Sequence, residues 1–293
     1  MKRARRLAAG AFVGAALAST SASADPCKHF NYGMATGPVV APILDGGLGR
    51  AYRVCGRSEV AIRGGGVLMV DIPNFYGRVS AGATIEGSWA PNKITEVFAG
   101  IEAVRYDTVI QSLSASNLGL GHSFLGGSIR AVTGDRATIA FNSKLVLPTA
   151  TGLYQEARPF GFDMGVAGQF AATPKVHLRG QVGLLASAVA SRAGPGLRMG
   201  ASLTAGAEFL PVRRFGVAID LHSVVGYATN TDLYAAAAAL RFSNLKRFGF
   251  ELAGMLPLAR KNHEWAQAVV MLRASVRLGA ISGPSPSRAP RGR

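Results

Sequence analysis

The chain has 293 residues, 48% of them hydrophobic and only 16% charged, and its mean hydropathy of +0.22 is too apolar for a disordered polypeptide. Its 32 basic residues outnumber 16 acidic ones for a net charge of +16, yet they are scattered among Gly, Ala and Val, which excludes a nucleic-acid-binding arm. No apolar stretch reaches the ~18 residues that a membrane-spanning helix needs, so the choice lies between a large soluble core and a membrane barrel.

Residues 1–24 start with Lys2, Arg3, Arg5 and Arg6, continue in an apolar run from Leu7 to Leu17 and finish in Ala22-Ser23-Ala24. That is the layout of a cleaved secretory signal, and its removal leaves 16 − 4 = +12 on the mature chain. Residues 25–64 are expected to form a periplasmic segment or a plug. They hold the only two cysteines, Cys27 and Cys55. In an oxidising compartment these most simply pair, and such a bridge contributes about 3–4 kcal/mol. Gly64-Gly65-Gly66 precedes an apolar run and not a helix, so it reads as a bulge or flexible joint and not as a phosphate cradle.

From residue 77 onward the chain has a period of two. A short apolar run at 66–72 is the first expected strand. In the next, Val79, Ala81, Ala83, Ile85 and Trp89 share one face, with Ser80, Thr84, Glu86 and Ser88 on the other. Weaker alternation marks 93–105, 119–132 and 136–147. Phe160, Phe162, Met164, Val166 and Phe170 then oppose Asp163 and Gln169, and Val176, Leu178, Val182 and Leu184 oppose His177, Arg179 and Gln181. Residues 197–209 set Leu197, Met199, Leu203 and Phe209 against Arg198, Ser202, Thr204 and Glu208. Residues 215–227 set Val217, Ile219 and Leu221 against Asp220 and His222. Further strands are expected at 233–242, 248–259 and 265–279. The barrel is therefore assigned to 65–280 and a disordered, Pro- and Arg-rich tail to 281–293.

The fold class that follows is all-β, a transmembrane antiparallel up-and-down β-barrel of about twelve strands. Segments of about 10–14 residues match tilted bilayer spans better than the 5–6 residues usual in soluble sheets. Short polar turns at 91–92, 133–135, 173–175, 211–213 and 243–244 alternate with longer links, which places the short side and both chain ends in the periplasm. Trp89, Phe170, Phe209, Phe215, Phe242 and Phe248 fall beside the short turns, and Phe160, Phe162, Tyr227 and Tyr234 beside the long links, as two aromatic belts. A soluble β-sandwich or jelly roll, the competing reading, has no need of aromatics at both ends of long strands.

The run from Leu118 to Thr149, with GLGHSFLGGSIRAV, a turn and ATIAFNSKLVLPT, resembles the central hairpin of the outer-membrane transporter family linked to phenol meta-degradation pathways. That resemblance implies a channel-like barrel for small organic solutes and carries over no catalytic residues.

If the apolar faces meet lipid, the opposite faces line a lumen. The candidate binding residues there are Glu86, Glu96, Glu102, Lys144, Asp163, Arg179, Arg198, Asp220, His222, Glu251 and Arg273, joined by Glu208, Arg130 and Arg277. Charges of both signs argue against a strongly ion-selective pore. Glu251 is expected beside Arg273, and Glu86 opposite Glu96, where two like charges would need a cation. Val217→Arg is expected to impair assembly and Asp220→Asn to be tolerated. Neither cofactor nor metal is indicated: the five histidines lack ligand spacing. The partners expected are small solutes and outer-membrane lipid, with Arg192, Arg198, Arg260 and Lys261 facing lipopolysaccharide.

The functional reading is a passive pore or transporter for small organic solutes. Two others stay open: a closed structural or adhesive barrel, and a lipid-modifying barrel enzyme. For the last, Gly121-His122-Ser123-Phe124-Leu125-Gly126 approaches a nucleophile elbow, but Leu125 stands where the second glycine belongs, and His122 and Ser123 would point to opposite faces of a strand.

Overall fold

The computed structural model describes residues 54–55, 58–71, 76–92, 94–110, 115–133, 136–151, 158–191, 194–212, 214–226, 232–243, 248–258 and 268–277. The expected signal, most of the segment 25–64 and the tail lie outside the described residues, as do Cys27, Tyr227 and the side chain of Arg277. Cys55 is described and buried, just ahead of the first strand.

Strand follows strand: β1 (Glu59–Asp71), β2 (Tyr76–Trp89), β3 (Thr95–Ile110), β4 (Ala115–Gly119), β5 (Ser123–Thr133), β6 (Ala137–Leu147), β7 (Arg158–Thr173), β8 (Val176–Ser191), β9 (Gly194–Val212), β10 (Phe215–Val225), β11 (Leu233–Ser243), β12 (Phe248–Pro257) and β13 (Ala268–Arg277). Each neighbour pair is antiparallel. β1 pairs with β13 as well as with β2, and β2 with β3, so the sheet closes on itself. The short β4 continues the line of β5: β3 pairs with β4 through Arg105–Val109 and with β5 through Thr95–Ile101. Counting β4 and β5 as one interrupted strand gives the twelve-stranded barrel that the alternation predicts. Closure removes every long sheet edge, which a spanning sheet requires because lipid offers backbone groups no hydrogen bonds.

The pleat decides what goes inside. Successive side chains point to opposite faces, so each alternating strand sends its apolar set one way and its polar set the other. Here the apolar set points out: Ile62, Val182, Leu184, Leu203, Ile219, Leu221, Leu256 and Val270 are all exposed. The polar set points in, and Asp163, His177, Glu208, Asp220, Arg241 and Glu251 are buried. A water-soluble sandwich would have the reverse arrangement. Exposed Trp89, Phe209, Phe242 and Phe248 sit beside short links, and Phe160, Phe162 and Tyr234 beside long ones, as the two aromatic belts require.

Two local expectations change. The first strand begins at Glu59 and not near 65, and Gly64-Gly65-Gly66 is neither bulge nor joint, because it pairs in unbroken register with Leu272, Met271 and Val270. Bulges occur elsewhere, as in β3 opposite Ala83 and Thr84. There the outward series Val97 and Ile101 shifts phase to Val104 and Tyr106.

Candidate functional site: the barrel interior

In the half of the barrel nearer the short links, inward side chains from eight consecutive strands form a belt of alternating charge. Arg179 on β8 donates from Nε to Asp220 Oδ1 and from Nη2 to Asp220 Oδ2 of β10, both at 2.7 Å. Its Nη1 lies 3.9 Å from Glu208 Oε2 on β9. Arg241 on β11 donates to Glu208 Oε1 at 2.9 Å and to Glu251 Oε2 on β12 at 2.8 Å. Arg273 on β13 donates to Glu59 of β1 and, at 3.2 Å, to Glu86 Oε1 of β2, which also accepts from Arg63 Nη2 at 3.2 Å.

Small residues make these contacts possible. Arg179 and Asp220 are both register partners of Gly206, one from each side, so their bidentate pair passes over the intervening strand β9. A methyl group on Gly206 would lie 1.9 Å from Asp220 Oδ1. The same device recurs one strand on. Arg241 is registered with Gly216 of β10 and reaches past it to Glu208, whose Oε1 would be 3.1 Å from a methyl there.

The belt holds four guanidinium groups and five carboxylates, and from β8 to β13 its members are at most 6% exposed. Charge-assisted, bidentate hydrogen bonds are the form in which buried ions compensate one another. Because the signs alternate around the wall, the belt creates no lasting bias for cations or anions. Solvent scarcely reaches its central members, Asp220 (0%) and Arg241 (1%). A separate pair, Lys144 Nζ to Asp163 Oδ2 at 3.3 Å, joins register partners on β6 and β7.

Toward the long links the interior changes character. Val224, Ala235, Ala237, Met255, Val269 and Met271, from β10 to β13, form one buried apolar cluster with Leu185, Phe124 and Val146 of the facing wall. Most of these positions fall at the long-link ends of their strands. On this side the lumen is therefore apolar along β10 to β13, while the Lys144–Asp163 pair and Arg105 keep charge on the wall of β3, β6 and β7. Within the wall His122 hydrogen-bonds through Nδ1 to the Leu147 carbonyl at 3.2 Å. Thr204 and His222 Nδ1 are 2.8 Å apart, and the Gln169 amide donates to His177 Nδ1 at 3.1 Å.

Of the residues singled out from sequence, Asp163, Arg179, Glu208, Asp220, His222, Glu251 and Arg273 are brought inside, and so are Glu96, Glu102 and Lys144. Arg130 is half-buried, and Arg198 is exposed near the long-link end of β9, away from the belt. Glu86 does not face Glu96: it is registered with Gly100, and Glu96 with Ser128, because the β2–β3 link is long enough to move the pairing. Glu251 and Arg273 are register partners as expected, while the ion pairs shown run from Glu251 to Arg241 and from Arg273 to Glu59 and Glu86. Both Asp220 carboxylate oxygens accept from Arg179, so Asp220→Asn would give up one charge-assisted bond of this pair.

Sequence reading missed Glu59, Arg63, Arg105 and Arg241. The first two precede the assumed start of the barrel. Arg105 turns inward only because the β3 bulge shifts its phase. Arg241 closes the alanine run of β11, where alternation is weakest. The elbow-like residues do not form a nucleophile and base: His122 is buried inside, and the Ser123 hydroxyl bonds Thr149 Oγ1 at 3.0 Å. Among the described residues no cluster of three or more His, Cys, Asp or Glu could hold a metal ion.

Solved structures with the same architecture are outer-membrane β-barrels. An outer membrane channel from Pseudomonas putida F1 superposes with a TM-score of 0.57 at 10% identity, over 76% of this chain and 96% of that one. The KdgM porin gives 0.48 at 9% identity over 75% and 99%, and the NanC porin 0.47 at 9% over 75% and 98%. At such identities the likeness is one of fold. No family model matches the chain, and no curated protein matches it.

Proposed function

We propose that this protein is a passive outer-membrane channel for small, largely apolar organic solutes. The supporting observation is the apolar compartment inside an otherwise polar lumen, built around Val224, Met255, Val269 and Met271. A water-filled pore for hydrophilic solutes gains nothing from it, whereas an apolar solute leaves water on entering it. In this reading residues 1–24 are removed on export and the short links face the periplasm. The resemblance of the hairpin at Leu118–Thr149 then favours aromatic compounds as solutes.

The test is reconstitution of the full chain in asymmetric bilayers with a lipopolysaccharide outer leaflet, which by itself slows apolar solutes. Entry of a neutral apolar reporter such as N-phenyl-1-naphthylamine should accelerate over protein-free bilayers, with low ionic conductance. Unchanged entry overturns the proposal. The buried, ion-paired belt favours a second reading, a closed structural barrel, which requires both reporter entry and conductance to stay at background. We also propose that Cys27 and Cys55 pair in the mature protein. Mass spectrometry of the unreduced digest should find the linked peptides, and two alkylated thiols would refute the pairing.

A further inference from the structure

The two rims of the barrel carry different charge. The short links, 90–94, 134–136, 174–175, 213–214 and 244–247, contain Lys93, Arg136, Lys175, Arg213, Arg214, Lys246 and Arg247 against the single acid Asp135, a surplus of six cations. The links of the opposite rim, 72–75, 111–114, 148–157, 192–193, 226–232 and 258–267, among which 192–193 is only two residues where a longer link was expected, contain Arg192, Arg260 and Lys261 against Glu156, Asp232 and Glu264, and balance. The surplus that composition alone would assign to the outer rim therefore lies on the other one.

Every short link has at least one cation in its sequence, and the described ones, Arg136, Lys175 and Arg214, stand at the successive links β5–β6, β7–β8 and β9–β10, along an arc of the rim. Lys175 and Arg214 are exposed and Arg136 half-exposed. Immediately above the short-link rim on the outer wall stand the exposed aromatics Trp89, Phe209, Phe242 and Phe248, at the level where lipid headgroups meet acyl chains. Cations set just below an interfacial aromatic belt stand at the depth of the lipid headgroups.

We propose that the short-link rim binds anionic phospholipid headgroups of the phosphatidylglycerol type, engaged through Arg136, Lys175 and Arg214. It rests on the outer-membrane reading, in which this rim meets the phospholipid leaflet. A cation close to an anionic surface contributes roughly 1 kcal/mol, a factor of about five in association, and salt screens it within about 10 Å at 0.1 M.

The experiment measures nitroxide-labelled phosphatidylglycerol against labelled phosphatidylcholine by electron spin resonance, with the full chain in phosphatidylcholine vesicles. The motionally restricted component gives the relative association. It should favour phosphatidylglycerol by up to about fivefold, fall by at least half in the triple variant Arg136→Gln, Lys175→Gln, Arg214→Gln, and approach parity in molar salt. Arg198→Gln, at the other end of the barrel, should leave it unchanged. Equal association of both lipids with the wild type, or full preference retained by the folded triple variant, overturns the proposal and redirects these cations to an acidic soluble partner. Should the triple variant not fold, the salt series on the wild type decides. Failure of the membrane reading looks different: no heat-modifiable folded band and no restricted component for either lipid.

Discussion

Arg179 shows how much one side chain can be asked to hold. Its guanidinium satisfies both oxygens of Asp220 and approaches Glu208, in a place where solvent offers no replacement. Arg179→Ala strands the buried Asp220 carboxylate, while Glu208 keeps Arg241, and should destabilise the barrel by about 3–5 kcal/mol. The paired change Arg179→Leu with Asp220→Leu removes both charges and should lose much less. The temperature at which the folded band disappears in a heat-modifiable gel separates the two. Gly206→Ala tests the same contact from below. The added methyl meets Asp220 Oδ1 and, at 2.5 Å, the Ile219 carbonyl, which as backbone cannot turn aside. A loss on the order of 3 kcal/mol is expected, close to that of breaking the pair outright.

At the scale of the strand, the period of two sorts residues reliably except where the ladder slips. Ile219 is 60% exposed at the centre of β10, between buried Ala218 and Asp220. Ile219→Arg should cost about 2–4 kcal/mol near the bilayer midplane. Refolding yield into vesicles reports it, and a yield equal to that of Ile219→Leu would contradict the outward assignment. The strands with strong alternation, β7 to β10, were legible in the sequence with their faces. The β3 bulge was not, because one extra residue reverses the face of everything after it and no local composition announces it. That is why Glu102 and Arg105, three positions apart, both end up inside.

For the whole molecule, the belt makes a prediction about passage. Removing both partners of one link, Arg241→Ser with Glu208→Ser, takes out two large buried side chains without stranding their mutual charge. Planar-bilayer conductance should then rise severalfold over the wild type. Unchanged conductance of a folded variant would mean that the barrier lies elsewhere in the lumen. The net charge of the chain does not foretell this: the belt is balanced to within one charge, while the surplus cations collect at one rim.

Alternation, strand length and the order of short and long links are local properties, so the sequence alone determined that this chain makes a closed antiparallel barrel with apolar faces outward and charges within. It also supplied most of the interior charges, because each lies at a fixed parity within its own strand. Which charge meets which was decided only by the tertiary structure. Arg179 reaches Asp220 across a strand 41 residues away in the chain, and Arg273 reaches Glu86 across 187. Such pairings depend on registers summed around the closed sheet, on bulges that reset them and on glycines that leave room beneath a side chain. None of these is encoded within a single strand.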